Sequence, residues 1–244
     1  MIENYKLFIS YDGTDFHGWQ RQPKKRTIQG LIEETLAKIT QKKITLIGAG
    51  RTDAGVHAQG QVANFTAAIS LKEEELLRAA NSLLPDDINV FKIVKTDLNF
   101  HARKMAKSKV YKYRIFNSPD ISPFIHRYVL HWPSPLKVEL MKKAALFFER
   151  EADFTAFSSN RLLHPVRKVF VSKIEKKGKE ISYTIEANGF LRYMVRTIMG
   201  TLLEIGRGKL QPEVIEKIFF EKRRSLAGAT APAKGLCLMK VRYR

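Results

Sequence analysis

Ile44-Thr45-Leu46-Ile47-Gly48-Ala49-Gly50-Arg51-Thr52-Asp53-Ala54-Gly55-Val56-His57-Ala58-Gln59-Gly60-Gln61-Val62-Ala63-Asn64-Phe65 is the stretch on which the fold turns. Its two ends, residues 44–47 and 61–65, are rich in β-branched, apolar and aromatic residues and read as strands. Between them one carboxylate, Asp53, sits between Gly50 and Gly55, with Arg51 two positions before it. Glycine gives a backbone freedom that a Cβ forbids, so the loop can hold Asp53 close to a bound ligand. A plain Asx-type turn joining two strands uses the same residue types.

Working outward, residues 5–11 alternate as a strand. Thr27 is a suitable N-cap for a helix in which Ile28, Leu31, Ile32, Leu36 and Ile39 recur at helical spacing as far as Gln41. Beyond the loop, Ser70 and Glu73 have the spacing of a capping box ahead of Leu76, Leu77, Ala80 and Leu84, and Pro85 stops that helix. A strand over 88–95 closes the unit. The order is β-α-β-β-α-β, the split βαβ arrangement. The second half repeats the order with little repetition of sequence. Strands are expected at 110–116 and 126–130, and a helix over 136–148 with Pro135 in its first turn. A hairpin follows over 166–176 and 180–187 across Lys177-Gly178-Lys179, then a helix over 191–205 ended by Gly206, a short helix over 212–221 and a strand over 235–241. The expected fold is α+β: two pseudo-repeated split βαβ halves, ferredoxin-like or RRM-like, with mixed, mainly antiparallel sheets flanking a central cleft. The expected domains are 1–105, carrying the Asp53 loop, and 106–244.

The charge points to a partner. The chain has 43 Lys and Arg against 24 Asp and Glu, a formal charge of +19, more than solubility requires and fitted to nucleic acid. Residues 106–244 hold 28 of the basic and 12 of the acidic groups, so this half is expected to carry most polyanion contacts. No uncharged apolar run approaches the roughly 20 residues that span a bilayer, and no signal peptide or lipidation motif is visible, so no membrane partner is expected. A single cysteine, Cys237, permits no intramolecular disulfide, which fits a reducing cytoplasm. The base-stacking block of RNA-recognition modules, the phosphate-binding loop, the dinucleotide Gly-rich turn and zinc-ligand spacing are all missing from the sequence. Asp12, Asp15, His17 and His57 are the residues that could suggest a metal, and none is expected.

Six segments, taken in order, resemble the tRNA pseudouridine synthase A family. The nine residues from Gly50 to Ala58 are similar to its central motif, and Asp12-Gly13-Thr14-Asp15-Phe16-His17-Gly18-Trp19-Gln20 to its N-terminal block. Phe100-His101-Ala102-Arg103 with Lys109-Val110-Tyr111-Lys112-Tyr113-Arg114 resembles the mid-chain block. Asp153-Phe154-Thr155-Ala156-Phe157, Phe190-Leu191-Arg192-Tyr193-Met194-Val195-Arg196 and Ala231-Pro232-Ala233-Lys234-Gly235-Leu236 complete the match over nearly the whole chain. Lys104-Met105 departs from the family's more usual arginine or phenylalanine.

The resemblance implies isomerisation of uridine to pseudouridine at or near positions 38–40 of the tRNA anticodon stem-loop, by a homodimer without cofactor. Asp53 would act as nucleophile at C1′ or C6, or as base on the ribose. A carboxylate whose reference pKa is about 3.9 is charged at neutral pH. Tyr111 would stack on the target uracil and help remove the C5 proton, and Arg196 would orient Asp53 as its ion-pair partner. The expected RNA-binding set is Arg51, Tyr111, Gln20, His57, Arg103 and Arg192. Arg51 would either fill the stack vacated by an extruded uridine or hold a phosphate. The 222–224 run Lys222-Arg223-Arg224 reads as solvated charge or as phosphate contacts. Two other classes compete: a noncatalytic RNA-binding protein or chaperone, and a metal-dependent RNA hydrolase, which would cleave the chain and fail in chelator.

Overall fold

The chain's alternating and helical hydrophobic patterns resolve, in a computed structural model describing residues 1–159 and 164–243, into two compact units. One comprises Met1–Lys107 with the residues from Leu238 onward, the other Ser108–Cys237.

In the first unit, β1 (Glu3–Tyr11) buries Tyr5, Leu7, Ile9 and Tyr11 on one face, the set that alternation selects. The helix α1 (Ile28–Thr40) buries Ile28, Ile32 and Leu36. Thr27 precedes it in an extended conformation, but its hydroxyl makes no cap bond. Then come β2 (Ile47–Gly48), β3 (His57–Ala67), α2 (Glu73–Leu83) and β4 (Ile88–Thr96). β1 is antiparallel to both β3 and β4, with Leu7 opposite Ala63 and Ile93. β2 contracts to two residues against Ala63 and Asn64 of β3. The reason lies one helix away. Leu46 N–H donates to the Glu33 carboxylate at 2.9 Å and Leu46 C=O accepts from Gln29 at 3.1 Å, so side chains of α1 satisfy backbone that a strand would pair. The capping box of α2 also lies two residues later than expected: Glu75, not Glu73, accepts from a backbone N–H, that of Lys72, at 2.9 Å.

The second unit holds β5 (Ser108–Phe116), β6 (Leu130–His131), α3 (Val138–Leu146), β7 (Glu151–Asp153), β8 (Val166–Lys177), β9 (Glu180–Ala187), α4 (Met194–Gly206) and α5 (Val214–Glu221). The strand order is β5-β9-β8-β7, all antiparallel, with β6 parallel to β5. The strand expected over 126–130 is replaced by turns closed by Ile125 N to Ser122 O and Tyr128 N to Ile125 O, leaving only Leu130–His131 extended. The helix expected from 191 starts at Met194, because Tyr193 takes a left-handed conformation, φ 63°. Phe148, Phe154, Phe157 and Phe219 form an aromatic core whose rings meet edge-on at 5.1 to 5.9 Å.

The last strand, β10 (Leu236–Arg242), follows the second unit in sequence, yet from Leu238 it belongs to the first, where it lies next to β3. The α+β class with mainly antiparallel pairing is thus realised.

Candidate active site

The Asp53 loop is held from below by the segment that follows β1. Trp19 N–H donates to Thr52 C=O at 3.1 Å and Gly55 N–H to Phe16 C=O at 3.4 Å. The hydroxyls of Tyr11 and Thr52 meet at 2.8 Å, and the Gln61 amide donates to Gly50 C=O at 2.9 Å. Within the loop Val56 N–H returns to Asp53 C=O at 3.2 Å, and Gly55 has φ 77°. Gly18 also has φ 86°, and a Cβ on it would stand 2.6 Å from Thr52 C=O. The N-terminal block and the central motif, 30 residues apart in the chain, are therefore one structure. It anchors Thr52 and Val56 in the interior and leaves Asp53 half-buried between an exposed Arg51 and an exposed Ala54.

His57, expected at the RNA, is buried: Gly13 N–H donates to its Nδ1 at 3.1 Å, with Asp12 Oδ1 also 3.1 Å from that nitrogen. Gln20 is half-buried and donates to Gln29 at 2.7 Å. Arg103 is exposed beyond a turn whose N–H groups point to His101 Nδ1. Among the described residues no three of His, Cys, Asp and Glu gather as a metal site.

The second unit carries the other expected residues. Tyr111, opposite Ile185 in the β5–β9 ladder, is buried with its ring edge-on to Phe190 at 5.1 Å. Arg196 donates from Nε to Ala231 C=O at 2.7 Å, and Ala231 N–H returns to Arg196 C=O at 3.0 Å. The guanidinium lies 5.0 Å from the Tyr193 ring, and that of Arg192 lies 4.9 Å from it. The neighbouring Tyr113 is fully buried and donates to Pro232 C=O at 2.8 Å. Burial drives its hydroxyl well above the usual range, with Arg196 opposing the shift, so it stays a neutral donor.

Sequence reasoning missed the supports. Gln29 and Glu33, both buried on α1, form a network in which Gln29 donates to Glu33 at 2.9 Å and Arg21 donates to Glu33 at 3.1 Å. The signal was present, an acid and an amide one turn apart among Ile28, Ile32 and Leu36, where polar residues need partners. Tyr193, quoted within the 190–196 segment, has no role assigned by its sequence alone. It separates Arg192 from Arg196 and takes a backbone conformation that bulky residues rarely adopt.

A family model described as tRNA pseudouridine synthase matches residues 7–103 and 144–244. The tRNA pseudouridine synthase A of Thermodesulfovibrio yellowstonii is 44% identical over 252 residues, covering 98% of this chain and 99% of that protein. The protein of the same name from Acetivibrio thermocellus is 42% identical over 244 residues, covering 99% and 100%. Among solved structures, one described as a Cbf5-Nop10-Gar1 complex aligns over 96% of this chain and 57% of that one at a TM-score of 0.34 and 13% identity, too slight a likeness to bear on the argument.

Proposed function

The chain belongs to the tRNA pseudouridine synthase family, and on that premise we propose that it modifies positions 38–40 of the tRNA anticodon stem-loop, with Asp53 as the reacting group. Pseudouridine synthesis is an isomerisation: the N1–C1′ bond breaks, the uracil turns, C5 bonds to C1′, and the C5 proton leaves while N1 regains one. No electron acceptor or activated donor enters this balance. Asp53 acts on the ribose, by attack at C1′ or by taking the 2′ proton; Tyr111 stacks on the base and assists loss of the C5 proton; Arg196 supplies positive charge to the reaction. Arg51, two positions before Asp53 and exposed, meets the RNA around the extruded uridine, with Gln20, Arg103 and Arg192 as further contacts and the buried His57 bracing the loop from beneath. The protein works in the cytoplasm as a homodimer, an inference that sedimentation as a strict monomer would contradict.

The observation that carries the reading is the double anchoring of Thr52 by Trp19 and Tyr11, which fixes the residue before Asp53 while leaving the carboxylate half-exposed. A loop built only to connect two strands does not need its backbone clasped by a segment 30 residues away. The test is Asp53→Asn, which keeps the side chain's size and removes its charge. Release of tritium from 5-tritiated uridine in tRNA is expected to fall by more than about a thousandfold, the scale of losing a nucleophile or base, while the tRNA is still bound. Undiminished release removes Asp53 from the chemistry.

A further inference from the structure

The second unit contains a basic cavity that the catalytic reading does not use. It has a volume of about 310 Å³, at the lower end of ligand sites, and is lined by Thr155, Ser158, Ser159 and residues 222–225. Two walls form it. One is the turn Thr155–Phe157 and the serines after it; the other runs from the C-terminus of α5 into the turn Arg224–Leu226. Beneath them Phe157 and Phe219 pack at 5.3 Å, so both walls stand on the aromatic core.

The charges are arranged for an anion. Lys222 and Arg223 each pair with a carboxylate: Asp153, 2.9 Å from Lys222, and Glu221, 3.4 Å from Arg223 and 3.7 Å from Lys217. Lys222 and Arg223 are exposed, and such pairs are worth little in water, so an incoming phosphate can displace them at small cost. Arg224 is held differently. It donates to the carbonyls of Ala227 and Gly228 at 3.3 and 2.9 Å and to the Thr230 hydroxyl at 3.2 Å, fixing the loop that contacts α4. That loop continues to Ala231, which exchanges two hydrogen bonds with Arg196, and on the other wall Ser159 N–H donates to Arg192 C=O at 3.4 Å. Both walls are therefore tied to the segment that carries Arg192 and Arg196. Lys222 itself has φ 54°, at a helix C-cap where glycine is the favoured residue. The backbone alone would favour a different side chain there.

We propose that this cavity binds a backbone phosphate of the RNA substrate, with Lys222 and Arg223 as its cations and the serine hydroxyls as donors. This rests on the reading of the chain as a tRNA-modifying enzyme. Free inorganic phosphate shares the chemistry and is the rival occupant. Lys222→Gly separates folding from binding, since glycine fits the left-handed cap and thermal stability is expected to hold or rise. Arg223→Gln is the companion variant. Dissociation constants for an unmodified tRNA transcript are measured from 0.05 to 0.5 M salt. Each variant is expected to show a slope of log affinity against log salt shallower by about 0.9, hence about eightfold weaker binding at 0.1 M and convergence near 1 M. Unchanged slopes in both variants overturn the proposal. So does a melting-temperature rise with millimolar inorganic phosphate that both variants abolish while tRNA slopes stay as in the parent. Wild-type tritium release is read alongside: its absence rejects the enzyme reading, whereas its presence with unchanged slopes rejects only the phosphate site.

Discussion

Gly18 shows how much of the candidate site depends on a residue with no side chain. Its left-handed φ of 86° would strain any other residue, and an added Cβ would stand 2.6 Å from the carbonyl of Thr52, the neighbour of Asp53. Gly178, in the hairpin turn of the second unit, has φ 56° but open space where a Cβ would go. Alanine at position 178 should therefore cost only the left-handed backbone, about 1–2 kcal/mol in urea unfolding. Alanine at position 18 is expected to cost more, about 3 kcal/mol with the clash added, and to lower tritium release at least tenfold by displacing the Asp53 loop. Equal effects of the two substitutions on activity would show that the loop does not depend on the clasp. The glycine-flanked loop that carries Asp53 stands out in the sequence because its motif is local. Its supports do not: Tyr11, Trp19 and Gln61 reach it through hydrogen bonds across turns, and nothing in their own spacing announces a partner.

Strands and helices divide by how far their signals extend. The helix α1 and the strands β1, β5, β8 and β9 were legible because each carries its period over several turns or pleats. β7, three residues long, has no period to read, and β2 lost its expected length to the side chains of Glu33 and Gln29. The β5–β9 pair also carries a cross-strand ion pair that spacing did not reveal: Arg114 donates to both oxygens of Glu180 at 3.0 and 2.7 Å. The hydrogen bonds from Arg114, opposed by desolvation and aided by the charges of Arg114 and Lys112, hold the Glu180 carboxyl below its ordinary value. A carboxyl whose folded pKa is depressed adds stability that is fully present above the unfolded value, about 4.3, and is lost as pH falls through the folded one. Glu180→Gln should thus be less stable than the parent at pH 7, with the difference closing below about pH 4. Thermal melts across pH 3 to 7 check this, and a gap that stays constant into acid would assign the loss to packing instead.

At the scale of the whole molecule, the uneven charge was legible in the sequence, but the placement of residues 238–243 was not. Residues 236–242 have the apolar alternation of a strand, and alternation says that a strand exists without saying which neighbour it takes. The structure gives everything from Leu238 onward to the first unit, more than 130 residues after that unit's last strand. Leu238 and Val241 are buried, Lys107 N–H donates to Arg242 C=O at 2.8 Å, and the Tyr243 hydroxyl donates to Ala102 C=O at 2.9 Å. Lys6 stands 4.0 Å over the Tyr243 ring. The N-terminal unit is therefore completed only once residues from Leu238 onward have been made, so local order in its first 107 residues should be provisional until then. Ending the chain after Cys237 removes two buried side chains, worth about 1.5–3 kcal/mol each, and two backbone anchors of about 1 kcal/mol each. That sum is a large part of the 5–15 kcal/mol that holds a typical domain together. Hydrogen exchange on the shortened chain is expected to show lost protection in β3 and residues 100–107 while β8 and β9 keep theirs. Protection unchanged in β3 would mean that the first unit is stable without its distant strand.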